Sequence, residues 1–172
     1  MTDSQSCARE LELTIRPAGQ KDRDAVWAVL EPVIRAAETY ALDPSLTKDE
    51  ALAYWLGPDR ETFVAEAAGD VVGTYYLRAN QPGGGSHVAN CGFMTAVQSN
   101  GRGVARAMCA DALARAKASG FHAMQFNFVV SSNDRAIALW RSFGFEIVGR
   151  LPQAFRHPRH GFVDVLVMFR AL

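Results

Sequence analysis

Six residues near the middle of the chain have the types and spacing that bind anions: Asn100-Gly101-Arg102-Gly103-Val104-Ala105, followed by Arg106. Two glycines in three residues permit a tight turn and let a ligand approach the main chain closely. The apolar run Cys91-Gly92-Phe93-Met94 in front suits a strand, and Arg106 to Leu113 behind has helical character. A strand turning through glycines into a helix start presents free N–H groups and the positive end of the helix dipole. Phosphate or pyrophosphate is the ligand such a turn holds. The same pattern is equally that of a plain strand-to-helix turn. A dinucleotide fingerprint would need a third glycine where Arg106 stands, and no GxxxxGK[ST] loop occurs.

Few other side chains are placed for chemistry. His87 precedes the glycine turn and is of the residue type most often used as a general base, though it reads equally as a hairpin-edge histidine. His157 and His160 sit in a basic loop and read as surface residues, and Asp164, among apolar residues, reads as the partner of an arginine. Asn127 stands within an apolar stretch, where a side-chain amide needs hydrogen-bond partners. Cysteines occur only at 7, 91 and 109, an odd number without CxxC spacing, so neither a disulfide framework nor a zinc site is indicated. A reducing, cytoplasmic setting is the simple inference.

The 172 residues suit one domain, over 11–172, behind a polar, poorly ordered lead-in at 1–10. The lead-in lacks a signal-peptide core. Hydrophobic residues are 49% and charged residues 21%, as in ordinary globular proteins. Eighteen basic residues balance eighteen acidic ones, so no global field recruits nucleic acid or an anionic membrane. No apolar run approaches the length of a membrane span.

Periodicity then places the elements. Leu11 to Ile15 alternates as a strand should, and Arg16-Pro17 is expected to break it. A helix is expected from Asp22 to Leu30, with Pro32 separating it from a second helix over Val33 to Glu38. Thr47-Lys48-Asp49-Glu50 fits a capping box that opens a helix ending near Leu56. Strands at 62–66 and 71–77 flank a hairpin turn at Ala68-Gly69-Asp70. A strand from His87 to Thr95 feeds the glycine turn, and Gly92 within it invites a bulge or a close backbone approach. A helix closed by Gly120, a strand over His122 to Val130, a helix capped near Asn133 and closed by Gly144, and strands at 145–151 and 162–170 follow. Residues 152–161 read as a loop between the last two. The order gives an α/β protein with a mixed sheet of about seven strands and helices on both faces.

At this level of detail the chain resembles the GNAT (Gcn5-related) N-acetyltransferases. Asn100 to Ala105 is similar to that family's [R/Q]-x-x-G-x-[G/A] loop. Asn133, Ala136, Leu139 and Gly144-Phe145 are similar to its later N-x-x-A-x-x-L-Y-x-x-x-G-F stretch. The element order agrees from Ile15 to Leu172. Two positions depart: Asn100 replaces the family's arginine or glutamine, and Trp140 replaces the tyrosine that often protonates the departing thiolate. Indole N–H is only a hydrogen-bond donor. Asn90-Cys91-Gly92-Phe93, Phe126-Asn127-Phe128-Val129 and Asn133 further resemble the fungal acetyltransferases of proline analogues such as azetidine-2-carboxylate.

The resemblance implies direct transfer of an acetyl group from acetyl-CoA to an amine, with no metal. It implies a sheet splayed beside the glycine loop, with Gly92 marking the opening. Main-chain groups of Phe93, Met94 and Thr95 would hold the pantetheine and acetyl carbonyl, and those of Asn100, Gly101, Arg102, Gly103, Val104, Ala105 and Arg106 the pyrophosphate. Asn133 would also contact the cosubstrate. Asn90, Asn127 and Phe128 would meet a small amino acid or analogue, Asn127 donating to its carboxylate. Asn90 and His87 are the catalytic candidates, and a homodimer is a possible assembly. Acetylation of protein amines and non-catalytic CoA binding remain the alternatives.

Overall fold

A computed structural model describes residues 12–172 of the chain. The lead-in, Cys7 and the expected first strand residue Leu11 lie outside the described residues. Seven strands form one sheet in the order β1-β2-β3-β4-β5-β7-β6. They are β1 (Thr14–Pro17), β2 (Glu61–Ala67), β3 (Asp70–Ala79), β4 (Val88–Thr95), β5 (Ala123–Val130), β6 (Glu146–His157) and β7 (Gly161–Ala171). All pairings are antiparallel except β4 with β5. Helices α1 (Arg23–Ala36) and α2 (Lys48–Trp55) cover one face; α3 (Val104–Ala118) and α4 (Asp134–Ser142) cover the other. The expected mixed α/β sheet with helices on both faces is what forms.

Strand alternation builds the two cores. On β3, Tyr75 and Leu77 face α3 and α4, while Tyr76 faces α1 and α2. Under α1 and α2 lie Val26, Leu30, Ile34, Leu52 and Trp55. Thr47 caps α2 as its sequence indicates, accepting from the Glu50 N–H while the Glu50 carboxylate accepts from the Thr47 N–H. Among the described residues, no helix is long and apolar enough to cross a membrane.

Four local expectations are corrected. The first strand runs two residues further, through Arg16 and Pro17, because Pro17 sits on the edge strand β1, where a missing N–H costs least. Pro32 does not divide α1, because Val29, Leu30 and Ile34 on both sides of it are buried on one face and hold the helix together. Strand β6 extends through the expected loop to His157. It absorbs Pro152 and Gln153 (φ +51°) in an irregularity where three residues oppose Asp164, whose carboxylate accepts from the Gln153 N–H at 2.9 Å. Asp164 also pairs with Arg150 at 2.8 Å, as an arginine partner should. His157, expected at the surface, is 5% exposed, and its Nδ1 accepts from the N–H groups of Arg159 and His160 to close the β6–β7 turn.

Candidate active site

The parallel pairing of β4 with β5 is short. Val88 pairs with Ala123 and Ala89 with Met124, and beyond those the strands part. At the fork the Asn90 side chain takes over the ladder, its Nδ2 donating to the Gln125 carbonyl at 2.9 Å. The opening therefore begins at Asn90 and not at Gly92. Gly92 stays in register with Tyr76 and forms no bulge. Its role is close approach: a Cβ there would stand 2.6 Å from the Tyr76 ring. The bulge falls instead on β5, where Asn127 and Phe128 lie between the register pairs Phe126–Met168 and Val129–Leu166. It breaks the expected alternation, so Phe126 and Val129 share one core while Phe128 is 38% exposed.

A cavity of about 1080 Å³ runs from the fork to the glycine turn. Its wall includes the exposed edge of β4. The Phe93 N–H donates to the Tyr40 hydroxyl at 2.7 Å, and that hydroxyl donates to the Phe93 carbonyl at 2.9 Å. Tyr40 comes from the segment between α1 and α2 and packs edge-on against Trp55. Burial pushes its phenol well above the ordinary range. Trp140 packs against Phe93 and Phe126, with ring centroids 5.1 and 5.0 Å away, and forms part of the wall.

At the far end, Gly101 and Gly103 hold φ of +77° and +83°. Gly103 is the left-handed cap of α3 and supplies no side-chain acceptor, so the first-turn N–H groups keep their donors free. A Cβ on Gly103 would meet no protein atom within 4 Å. Asn100 braces the turn, its Oδ1 accepting from the Thr95 hydroxyl at 3.0 Å. Arg106 and Arg135 add positive charge to this wall. Free N–H groups, a helix start and two guanidiniums fit a diphosphate.

Phe93, Met94, Thr95, Asn100, Gly101, Gly103, Val104, Ala105, Arg106, Asn133, Asn90, Asn127 and Phe128 are thus gathered on one cavity wall. Arg102 is not; it borders a separate groove with Gln98 and Ser99. His87 is not either. It is exposed at the closed end of the fork beside His122, with ring centroids 5.9 Å apart, and does not line the cavity. Asn133 caps α4, its Oδ1 accepting from the Ala136 N–H at 3.2 Å. The Asn127 amide is engaged on both sides: its Nδ2 donates to Asn80 at 2.6 Å and its Oδ1 accepts from Gln125 at 2.8 Å. Cys91 and Cys109 are buried thiols held un-ionised, the latter pushed up to about 12 by desolvation.

Sequence reasoning missed part of the cavity wall. Glu38 and Tyr40 come from the segment after α1, Tyr54 from α2, and Tyr76 and Arg78 from β3. Among the described residues on the wall, Glu38 is the only carboxylate, and it pairs with Arg159 of the β6–β7 turn at 2.9 Å. Tyr76 and Arg78 share one face of β3, but Tyr76 is a core residue and Arg78 lies beyond the strand end expected at 77, so neither signalled a cavity.

Comparison with known proteins agrees with this geometry. The family model described as the acetyltransferase (GNAT) family matches residues 28–145. N-acetyltransferase aca1 of Schizosaccharomyces pombe is 27% identical over 78% of this chain and 72% of its own length. The structure of a GCN5-related N-acetyltransferase from Kribbella flavida superposes with a TM-score of 0.89 at 44% identity, covering 93% of this chain and 98% of that one. A phosphinothricin acetyltransferase from Sinorhizobium meliloti, solved with acetyl-CoA, shares the fold with a TM-score of 0.81 at 21% identity, covering 93% and 88%.

Proposed function

Because the chain belongs to the acetyltransferase (GNAT) family, we propose that it moves the acetyl group of acetyl-CoA directly to the amine of a small molecule, an amino acid or amino-acid analogue of the proline-analogue kind. One observation carries this reading: a single cavity joins a helix start suited to a diphosphate to the edge of β4 that has no strand partner, and then to a chamber beside Asn90 and Asn127. The first-turn N–H groups of α3, with Arg106, hold the pyrophosphate. The open edge of β4 at Phe93, Met94 and Thr95 carries the pantetheine as an added strand would be carried. Asn133 borders the same arm, and Asn90, Asn127 and Phe128 border the acceptor.

In the reaction the neutral amine nitrogen attacks the thioester carbonyl carbon, the C–S bond breaks, and the departing thiolate takes a proton from water or from the nitrogen of the intermediate to leave as the thiol. The Phe93 N–H is aimed where the carbonyl oxygen gains charge, and a donor so placed is worth roughly 3 kcal/mol. That N–H is held by Tyr40, so Tyr40 moves aside when the thioester arrives. The amine proton leaves through water or to Glu38. Two buried, un-ionised thiols suit a reducing cytoplasm.

A thiol-release assay tests the reading. Acetyl-CoA is offered with free amino acids, azetidine-2-carboxylate and other proline analogues, phosphinothricin-like compounds, and peptides. Turnover confined to the small acceptors supports it. Turnover of peptides alone moves the function to protein amines, and acetyl-CoA binding without turnover of any amine makes the chain a non-catalytic module.

A further inference from the structure

We propose that Arg78 is the specificity residue of the acceptor chamber and binds the carboxylate of an amino-acid acceptor, an inference that rests on the acetyltransferase reading above. Arg78 lies on β3 directly across from Asn90 in the antiparallel register, next to the fork where the acetyl group is delivered. Arg78 lines the cavity. One of its nitrogens, Nη1, donates to Asp59 at 3.0 Å. Its Nε is buried and, among the described residues, donates to nothing.

Asp59 cannot satisfy Arg78 fully, because it is already gripped by Arg60. The Arg60 fork donates through Nε at 2.9 Å and Nη2 at 3.0 Å. The Arg60 side chain is only 7% exposed and lies over the rings of Tyr54 and Tyr76, 4.8 and 4.7 Å from their centroids. Its own Nη1 is a second buried nitrogen without a partner. Two guanidiniums therefore share one carboxylate, which leaves one positive charge unmatched beside the chamber, where the Arg78 side chain is 29% exposed. A second carboxylate at the exposed part of the Arg78 guanidinium would match that charge. Guanidinium geometry matches a carboxylate in particular.

The surroundings narrow the acceptor. Tyr54 and Tyr76 give the chamber aromatic walls that suit a small apolar side chain or ring. The cosubstrate's phosphates are handled at the other end by the α3 start, so Arg78 is free for the acceptor. A carboxylate on Arg78 leaves an adjacent amine facing the β4 edge across the sheet. The Asn127 Nδ2, committed to Asn80, then borders the acceptor and need not bind its charge.

The test compares an amino-acid acceptor with its primary amide and the matching amine that lacks the carboxylate, in the parent, Arg78→Gln and Arg78→Lys. The parent should favour the acid over the amide by about ten- to a hundredfold in kcat/KM, the scale of a hydrogen bond to a charged group. Arg78→Gln should erase that preference through KM, with kcat changed less than about threefold, and Arg78→Lys should restore part of it. Acetyl-CoA affinity by calorimetry should not move, which separates lost recognition from lost fold. If Arg78→Gln does not fold, the acid-to-amide ratio in the parent and in Arg78→Lys still decides. Equal turnover of acid and amide by the parent, or an equal loss on both in the variants, overturns the assignment of Arg78 and leaves the acetyltransferase reading standing. Absence of turnover with every acceptor overturns that reading instead.

Discussion

The Tyr40 hydroxyl sits between the two main-chain polar groups of Phe93, accepting from the N–H at 2.7 Å and donating to the carbonyl at 2.9 Å. One phenol thus satisfies an edge that lost its strand partner when β4 and β5 parted. An incoming thioester needs the same N–H. Tyr40→Phe removes the competitor, and each bond it forfeits is worth about 0.5–1.5 kcal/mol. Acetyl-CoA should then bind about three- to tenfold more tightly by calorimetry. Weaker binding in the variant would mean that Tyr40 props the crevice open.

Trp140 supplies no acid, and the Tyr40 phenol, raised by burial, stays protonated well past its ordinary range. The pH profile of kcat/KM should therefore rise as the amine deprotonates and then level off, with no falling limb near pH ~10. Trp140→Phe should cost less than about tenfold in rate, since it disturbs only ring packing of the 0.5–1.5 kcal/mol kind. A falling limb that disappears in Tyr40→Phe would instead make Tyr40 the proton donor.

Gly103→Val tests the anion site. At φ +83° a β-branched residue is strained by roughly 1–2 kcal/mol, yet the new side chain meets no protein atom. Circular dichroism should show an intact fold and calorimetry should show acetyl-CoA binding abolished. Arg102→Ala, which changes a side chain outside the cavity wall, should weaken binding far less. Unchanged affinity in Gly103→Val would place the cosubstrate elsewhere.

Much of this site could be read from local spacing. The glycine turn, the Asn133 cap and the capping box at Thr47 are decided within a few residues, so their sequences suffice. The strand count followed from alternation for the same reason. Tyr40, Glu38 and Arg78 escaped because their roles depend on residues far away in the chain: Tyr40 meets Phe93, Glu38 meets Arg159, and Arg78 meets Asp59 and the fork. The position of the fork itself was misplaced by two residues. A glycine advertises an opening, whereas an asparagine that replaces a main-chain donor is visible only once the neighbouring strand is in place.

Stability should depend on acid through Asp22. This carboxylate is 5% exposed, accepts from Arg16 through two bonds of 2.8 Å and from the Gly19 N–H at 2.7 Å, and is held down to about 2 chiefly by Arg16. A carboxyl with a depressed folded-state pKa stabilises above its unfolded value near ~4 and ceases to as pH falls through the folded value. Denaturant unfolding should therefore lose about 2 kcal/mol between pH ~4 and pH ~2. Asp22→Asn should be less stable by a similar amount at neutral pH and flatter across that window. Parallel acid profiles for the two proteins would show that the Arg16 pairing contributes nothing net.

The seam between β4 and β5 has only two residue pairs. The sheet is therefore two plates, one of four strands and one of three, joined at a short hinge and otherwise braced by side chains such as Asn90 against Gln125 and Phe93 against Phe126 and Trp140. A ligand lying along β4 would add main-chain bonds where the protein alone has none, and so act as a strut between the plates. Amide hydrogens of β4 and β5 that face the open seam beyond the fork, apart from the Tyr40-bound N–H of Phe93, should then exchange fast in the free protein and slowly with acetyl-CoA, while those at Ala89 and Met124 change little. The cosubstrate would stiffen the molecule across the line where its own chain leaves it weakest.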